Sequence, residues 1–381
     1  MRLLFLALLA ALSTSAWSAP DEDSLGKNGY APCKDVRASL SDEPCLVWVM
    51  THYADIYPAH IVRKGPAPRE LKRSSAPAPV DVDAFLAANR NMGLLILQGD
   101  TVLAERYEYQ RTPEDHFVSL SMAKTLIGML VGIALDEKKI ASIDDPVEKY
   151  VPELKGHPYG ETPIRHMLTM SSGVKFDEVY RGDSDFMRMA TALLFQKGPA
   201  GAAAVLPYRQ RVAPPGERWS YSSAETFILG LVLRGATGRS VSDYLSEKIW
   251  QPMGAEADAT WNTDSAGNET GWCCFSATLR DWGRFGLLLA DGGARDGKQI
   301  IPAAWVKAAS SSQAKNPRYG YQTWVSDREG RFYLRGLRGQ AVDVHPASRT
   351  VVVHTSVYKI PSKRDTQDEF FEDVLKALNH S

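Results

Sequence analysis

Ten consecutive residues, Leu126 to Leu135, carry no charged or hydrogen-bonding side chain. A helix apolar on every face is a buried helix, so the chain has to fold around this stretch. Just upstream stands Val118-Ser119-Leu120-Ser121-Met122-Ala123-Lys124-Thr125. Ser121 and Lys124 are three apart, so on a first helical turn they lie on the same side and can touch. A hydroxyl and an amine held together at the mouth of a buried helix suit a serine nucleophile activated by a lysine. The alternative is an N-capping serine with a lysine that snorkels outward.

The Ser-x-x-Lys spacing recurs at Ser24/Lys27, Ser172/Lys175, Ser312/Lys315 and Ser356/Lys359. Context separates these pairs. Ser24 lies in a polar leader, Ser172 precedes Gly173 in a turn, and Ser312 ends a Ser-rich loop. Ser356 belongs to a Val-rich strand, where residues three apart point to opposite faces. Only Ser121 opens a buried helix.

The net charge is -1 over 381 residues and no basic run is interleaved with aromatics, which gives no support for a nucleic-acid or anionic-membrane partner. Residues 1–18 read as an export signal, with Arg2, an apolar core from Leu3 to Leu12, and small residues after it. Cleavage is expected after Ala16 or Ser18. The apolar run is too short to span a bilayer. The mature protein is therefore expected to be soluble and exported, periplasmic or secreted, with no stable membrane insertion once the signal is removed. Four cysteines suit an oxidising compartment. A Cys33–Cys45 pairing is favoured, and the adjacent Cys273 and Cys274 are expected to be two buried free thiols. Neither pair has metal-site spacing, so no metal and no cofactor is implied.

Residues 19–80, rich in Pro, Ser, Ala and charge, are expected to form an N-terminal arm over a main domain at 81–381. A short helix over 82–88 precedes a hairpin around Gly99-Asp100. Thr162-Pro163 reads as a cap and first position of another helix. Residues 137–265 are expected to form an all-helical subdomain. Ser240/Asp243 and Thr278/Asp281 are plausible cap pairs. From Tyr319 the pattern turns to strands over 319–325, 331–334, 340–345 and 350–357, then a final helix over 366–378. Strands at both ends around a helical middle predict an α/β (α+β) fold, one antiparallel sheet flanked by helices.

A serine nucleophile needs an oxyanion hole and proton-transfer groups. The helix N-terminus offers the backbone N–H of Ser121, and Lys124, desolvated by its helix, suits a neutral base. Tyr221, opening a second apolar helix, is the candidate relay; its alternative is a tyrosine at the edge of the core. Ser121-Met122-Ala123-Lys124, Tyr221-Ser222-Ser223 and Gly336-Leu337-Arg338-Gly339-Gln340 come in the order of the three motifs of serine β-lactamases and penicillin-binding proteins, which the chain resembles. The tyrosine motif is of the class C type, Tyr-x-Asn, with Ser223 in the Asn place. Ile143-Asp144-Asp145-Pro146, His166 to Gly173, Ser276 to Asp281 and Tyr319-Gly320-Tyr321 extend the likeness over roughly residues 80–381.

Within that superfamily, Gly336 to Gln340 resembles the Gly-x-His-Gly-Gln of the 6-aminohexanoate-dimer hydrolase and esterase branch. The resemblance implies the Leu337 N–H as second oxyanion donor. It maps a substrate-closing tyrosine to Tyr180, in Phe176-Asp177-Glu178-Val179-Tyr180. The Lys-Thr-Gly of true β-lactamases is replaced by Leu337-Arg338-Gly339, with Arg338 as a possible source of positive charge. His354 lies one strand too late to substitute.

A Ser-His-Asp hydrolase is not supported, because no Gly-x-Ser-x-Gly elbow exists. The expected function is hydrolysis of a small ester or amide through an acyl-enzyme on Ser121. The alternatives are a penicillin-recognising D-alanyl-D-alanine peptidase or weak β-lactamase, and a non-catalytic binding protein on the same fold.

Overall fold

The computed structural model describes residues 19–27, 30, 32, 43–313, 315–328, 330–359 and 365–379. The expected export signal therefore lies outside the described residues, and so does Cys33 of the expected Cys33–Cys45 pairing.

Thirteen strands are present among the described residues: β1 (Ala59–Val62), β2 (Lys72–Arg73), β3 (Asn91–Gln98), β4 (Thr101–Tyr107), β5 (Phe117–Val118), β6 (Ala259–Asn262), β7 (Phe275–Ala277), β8 (Ala294–Arg295), β9 (Lys298–Gln299), β10 (Trp324–Val325), β11 (Phe332–Gly336), β12 (Gln340–His345) and β13 (Thr350–Ser356). The main sheet has the order β10-β11-β12-β13-β3-β4-β2, with strands drawn from both ends of the chain as expected. It is antiparallel except at one edge, where β2 pairs parallel with β4.

Burial on both faces explains why β3 and β13 read as nearly continuous apolar runs. Side chains alternate across the sheet. Leu94, Ile96 and Val352 face one layer, with Val82, Phe85 and Leu86 of helix α1 (Val82–Ala88) and Phe370, Phe371 and Val374 of the C-terminal helix Asp365–Asn379. Leu95, Leu97, Val351 and Val353 face the large core on the other side. Helix α2 (Ala123–Asp136) runs through that large core, with every residue from Ala123 to Ala134 buried. Its glycines have a packing reason, since a Cβ on Gly132 would sit 2.2 Å from the Trp305 ring.

The structure departs from the expectations in four places. Residues 43–73 form short helices and two strands, and Leu46, Val47, Val49 and Met50 enter the large core. A second, four-stranded sheet, β1-β6-β7-β5, was not anticipated. Thr162 does not cap its helix, because its hydroxyl donates to the Pro158 carbonyl and the helix Ile164–Leu168 starts after Pro163. The segment 319–325 is a strand only at β10. The caps at Ser240 and Thr278 form as expected, each accepting from the N–H three residues on.

Candidate active site

The second sheet positions the serine. β5 pairs with β7, and the ladder continues one residue further through a reciprocal pair. The Ser119 N–H donates to the Phe275 carbonyl at 2.7 Å, and the Phe275 N–H donates to Ser119 Oγ at 3.2 Å. Leu120 then takes a left-handed φ of 42°, a conformation costly for a branched side chain and sustained only by its surroundings. Ser121 lies in the 3₁₀ turn Leu120–Met122, with α2 starting only at Ala123. Three residues per turn still bring Ser121 and Lys124 into line. The Lys124 Nζ donates to Ser121 Oγ at 3.1 Å and to the Trp272 carbonyl at 3.0 Å.

Lys124 is only 2% exposed, and this burial lowers its pKa to about 8, against the opposing pull of the Glu178 charge. About a tenth of it is then neutral at pH 7, far more than for an ordinary lysine, and can accept a proton. Three of the four competing Ser-x-x-Lys serines are engaged elsewhere. Ser172 donates to Glu225 at 2.6 Å, Ser356 to Asn91 at 2.5 Å, and Ser24 to the Asp21 carbonyl at 3.0 Å.

Gly336 ends β11 against the same backbone. A Cβ there would stand 2.4 Å from the Ser119 carbonyl oxygen, so only glycine lets β11 close on the serine segment. Leu337, next in the chain, borders two hollows that both open at Ser121, and Tyr180 borders both as well. Tyr221 lines the second hollow, with its ring 4.9 Å from Lys124 Nζ and stacked on Trp324 at 5.7 Å between centroids. Tyr319 and Trp219 complete this aromatic cluster.

Ser121, Lys124, Tyr221, Tyr180, Gly336 and Leu337 thus come together, whereas Arg338 does not join them. A left-handed φ of 61° turns it, and its Nη1 donates to the Tyr358 carbonyl at 3.0 Å in the interior. The cation at the cleft is instead Arg335 on β11, neutralised by Asp343 at 2.6 Å and Asp368 at 2.9 Å. His354 stands on β13, next to β12, with its Nδ1 3.1 Å from the Gly339 carbonyl oxygen.

Ser223 is buried against Glu178, a residue that sequence reasoning missed. Its N–H donates to Glu178 Oε2 at 2.8 Å and its hydroxyl donates to Oε1, which also accepts from the Tyr180 hydroxyl at 3.2 Å. Burial pushes the Glu178 carboxyl up, and the Lys124 charge opposes that rise. The only sequence signal for it was its place two residues before Tyr180.

The adjacent cysteines correct an expectation. Cys273 and Cys274 are joined in a disulfide, not two thiols, and Cys274 holds a left-handed φ of 69°. Among the described residues no group of three or more His, Cys, Asp or Glu could hold a metal ion.

Comparison with known proteins shows the family and the fold. The beta-lactamase family profile matches residues 82–372. The 6-aminohexanoate-dimer hydrolase of Paenarthrobacter ureafaciens is 28% identical over 378 residues, covering 92% of this chain and 96% of that protein. A Bacillus anthracis structure, provisionally assigned as a 6-aminohexanoate-dimer hydrolase, superposes with a TM-score of 0.82 at 23% identity, over 92% of this chain and 99% of that one. A D-stereospecific amidohydrolase from a Streptomyces species shares the fold at a TM-score of 0.53 and 17% identity, over 71% and 90% of the two chains. The chain belongs to the beta-lactamase family, as a serine hydrolase on that family's mixed α/β fold.

Proposed function

We propose that this protein is an exported hydrolase that cleaves a small ester or amide through an acyl-enzyme on Ser121. The observation that carries this reading is the 3.1 Å contact between Ser121 Oγ and a buried Lys124 of lowered pKa. Lys124 takes the serine proton as Oγ attacks the substrate carbonyl. The N–H groups of Ser121 and Leu337 hold the oxyanion. Tyr221 passes a proton to the departing group. Water then repeats the sequence and frees the acid. Ser223 and Glu178 set the charge around Lys124, while Tyr180 covers the mouth. The 6-aminohexanoate dimer in the relative's name is joined by an amide, which supports testing amides beside esters.

Export is supported by the leader over residues 1–18 and by a disulfide at Cys273–Cys274, which suits an oxidising compartment. Among the described residues no helix is long and apolar enough to cross a membrane.

A fluorophosphonate probe should label the folded protein at Ser121, read by peptide mass spectrometry. The same spectra should show a mature chain starting after residue 16 or 18. A folded protein that stays unlabelled would count against the nucleophile, and a retained leader against export.

The rate should also report the lysine. With neutral Lys124 as the base, kcat/KM for an activated ester should rise between pH 6 and pH 9 with a midpoint close to the value of about 8 set by its burial. A midpoint near 6.5, the ordinary histidine value, would point to another base.

A further inference from the structure

The two hollows that meet at Ser121 differ in chemistry. The first, a narrow recess, is walled by Tyr53, Phe186, Leu194, Phe195 and the Cys273–Cys274 disulfide. None of its lining residues is charged. The second is lined by Tyr221, Trp324, Arg335 and Gln367. The group that protonates a leaving atom has to stand on the leaving side, and Tyr221 borders only the second hollow. The leaving group therefore occupies the second hollow and the acyl group the first.

We infer that this hydrolase takes an uncharged, apolar acyl group, seated against the Cys273–Cys274 disulfide. The inference rests on Ser121 and Tyr221 in the roles proposed above. A cationic or anionic acyl chain would lose its water and find no counter-charge in the first hollow. Glu178, close by, is occupied by Ser223 and Tyr180. An alkyl chain suits aromatic rings and a polarisable sulfur pair. The disulfide wall is also fixed to the machinery it serves. The Trp272 carbonyl before it accepts from Lys124, Phe275 after it pairs with Ser119, and the Cys273 carbonyl accepts from Trp261 Nε1 at 2.9 Å.

The test uses the mature protein and p-nitrophenyl esters, which share one leaving group. From acetate to hexanoate, kcat/KM should rise about three- to fourfold for each methylene seated. The octanoate should be turned over at least about 30-fold faster than the 6-guanidinohexanoate of similar length. Replacing Ala190, which lines the first hollow from the helix Asp185–Leu193, by leucine should move the best chain length shorter. The Cys273→Ala/Cys274→Ala protein, with the wall removed, should move it longer. If that double variant fails to fold, the Ala190→Leu profile decides alone.

A flat chain-length profile, or equal rates for the charged and uncharged esters, would sink this inference alone, provided Ser121→Ala lowers turnover by at least about 10⁴-fold. Turnover by Ser121→Ala within about tenfold of the unsubstituted protein would sink the serine reading, and this inference with it.

Discussion

Replacing Ser121 by alanine should lower kcat/KM for an activated ester by about 10⁴- to 10⁶-fold, the range seen when an acyl-enzyme nucleophile is removed. The whole proposed sequence runs through Ser121 Oγ, because neither neighbouring serine hydroxyl is free to take its place. Ser119 is locked to Phe275 and Leu120, and Ser223 to Glu178. Some turnover should remain, because the hollows and the backbone donors survive the substitution. Stability should barely change. Ser121 is half-buried, and Lys124 keeps the Trp272 carbonyl as a partner. A loss of less than about 1 kcal/mol is expected for so small a truncation. The measurement pairs ester turnover with thermal unfolding. Activity within tenfold of the unsubstituted protein, with the fold intact, would remove Ser121 from the mechanism.

Much of this site was legible in the sequence because apolarity did the placing. Ten residues without a polar side chain could only be a buried helix, and Lys124, one turn inside, had to lose its water. Strands β3, β12 and β13 were legible for the same reason, as apolar runs bounded by turns. What escaped was fixed by tertiary contact. Strands β6 and β7 have four and three residues, too few to show a period of two. Glu178 matters because Ser223, 45 residues away, donates to it twice. Adjacent cysteines argue for free thiols on local grounds, yet the surrounding fold holds Cys274 left-handed and brings the sulfurs together. Arg338 failed as a cleft cation because its backbone also turns left-handed, which points the guanidinium at Tyr358.

Replacing Lys124 by methionine should abolish activity and stabilise the fold at pH 7. Burial lowers the lysine pKa from 10.5 to about 8, so between those values the unfolded chain binds more protons than the folded one. Stability of the unsubstituted protein therefore rises with pH across that window, and the full penalty is present below it. At about 1.4 kcal/mol per pKa unit the penalty approaches about 3 kcal/mol. Two effects subtract from the gain in the variant. The Trp272 carbonyl loses a donor, at about 1 kcal/mol. Glu178 loses a nearby positive charge that offsets its own burial. The net gain should be on the order of 1 kcal/mol at pH 7, since methionine fills the space with an unbranched apolar chain. Urea unfolding at pH 7 and at pH 10.5, disulfides intact, measures both parts. The stability difference between the two proteins should shift against the variant by about 2–3 kcal/mol over that interval. A difference that stays constant with pH would mean that Lys124 keeps an ordinary pKa in the fold, and is not the neutral base that the chemistry at Ser121 requires.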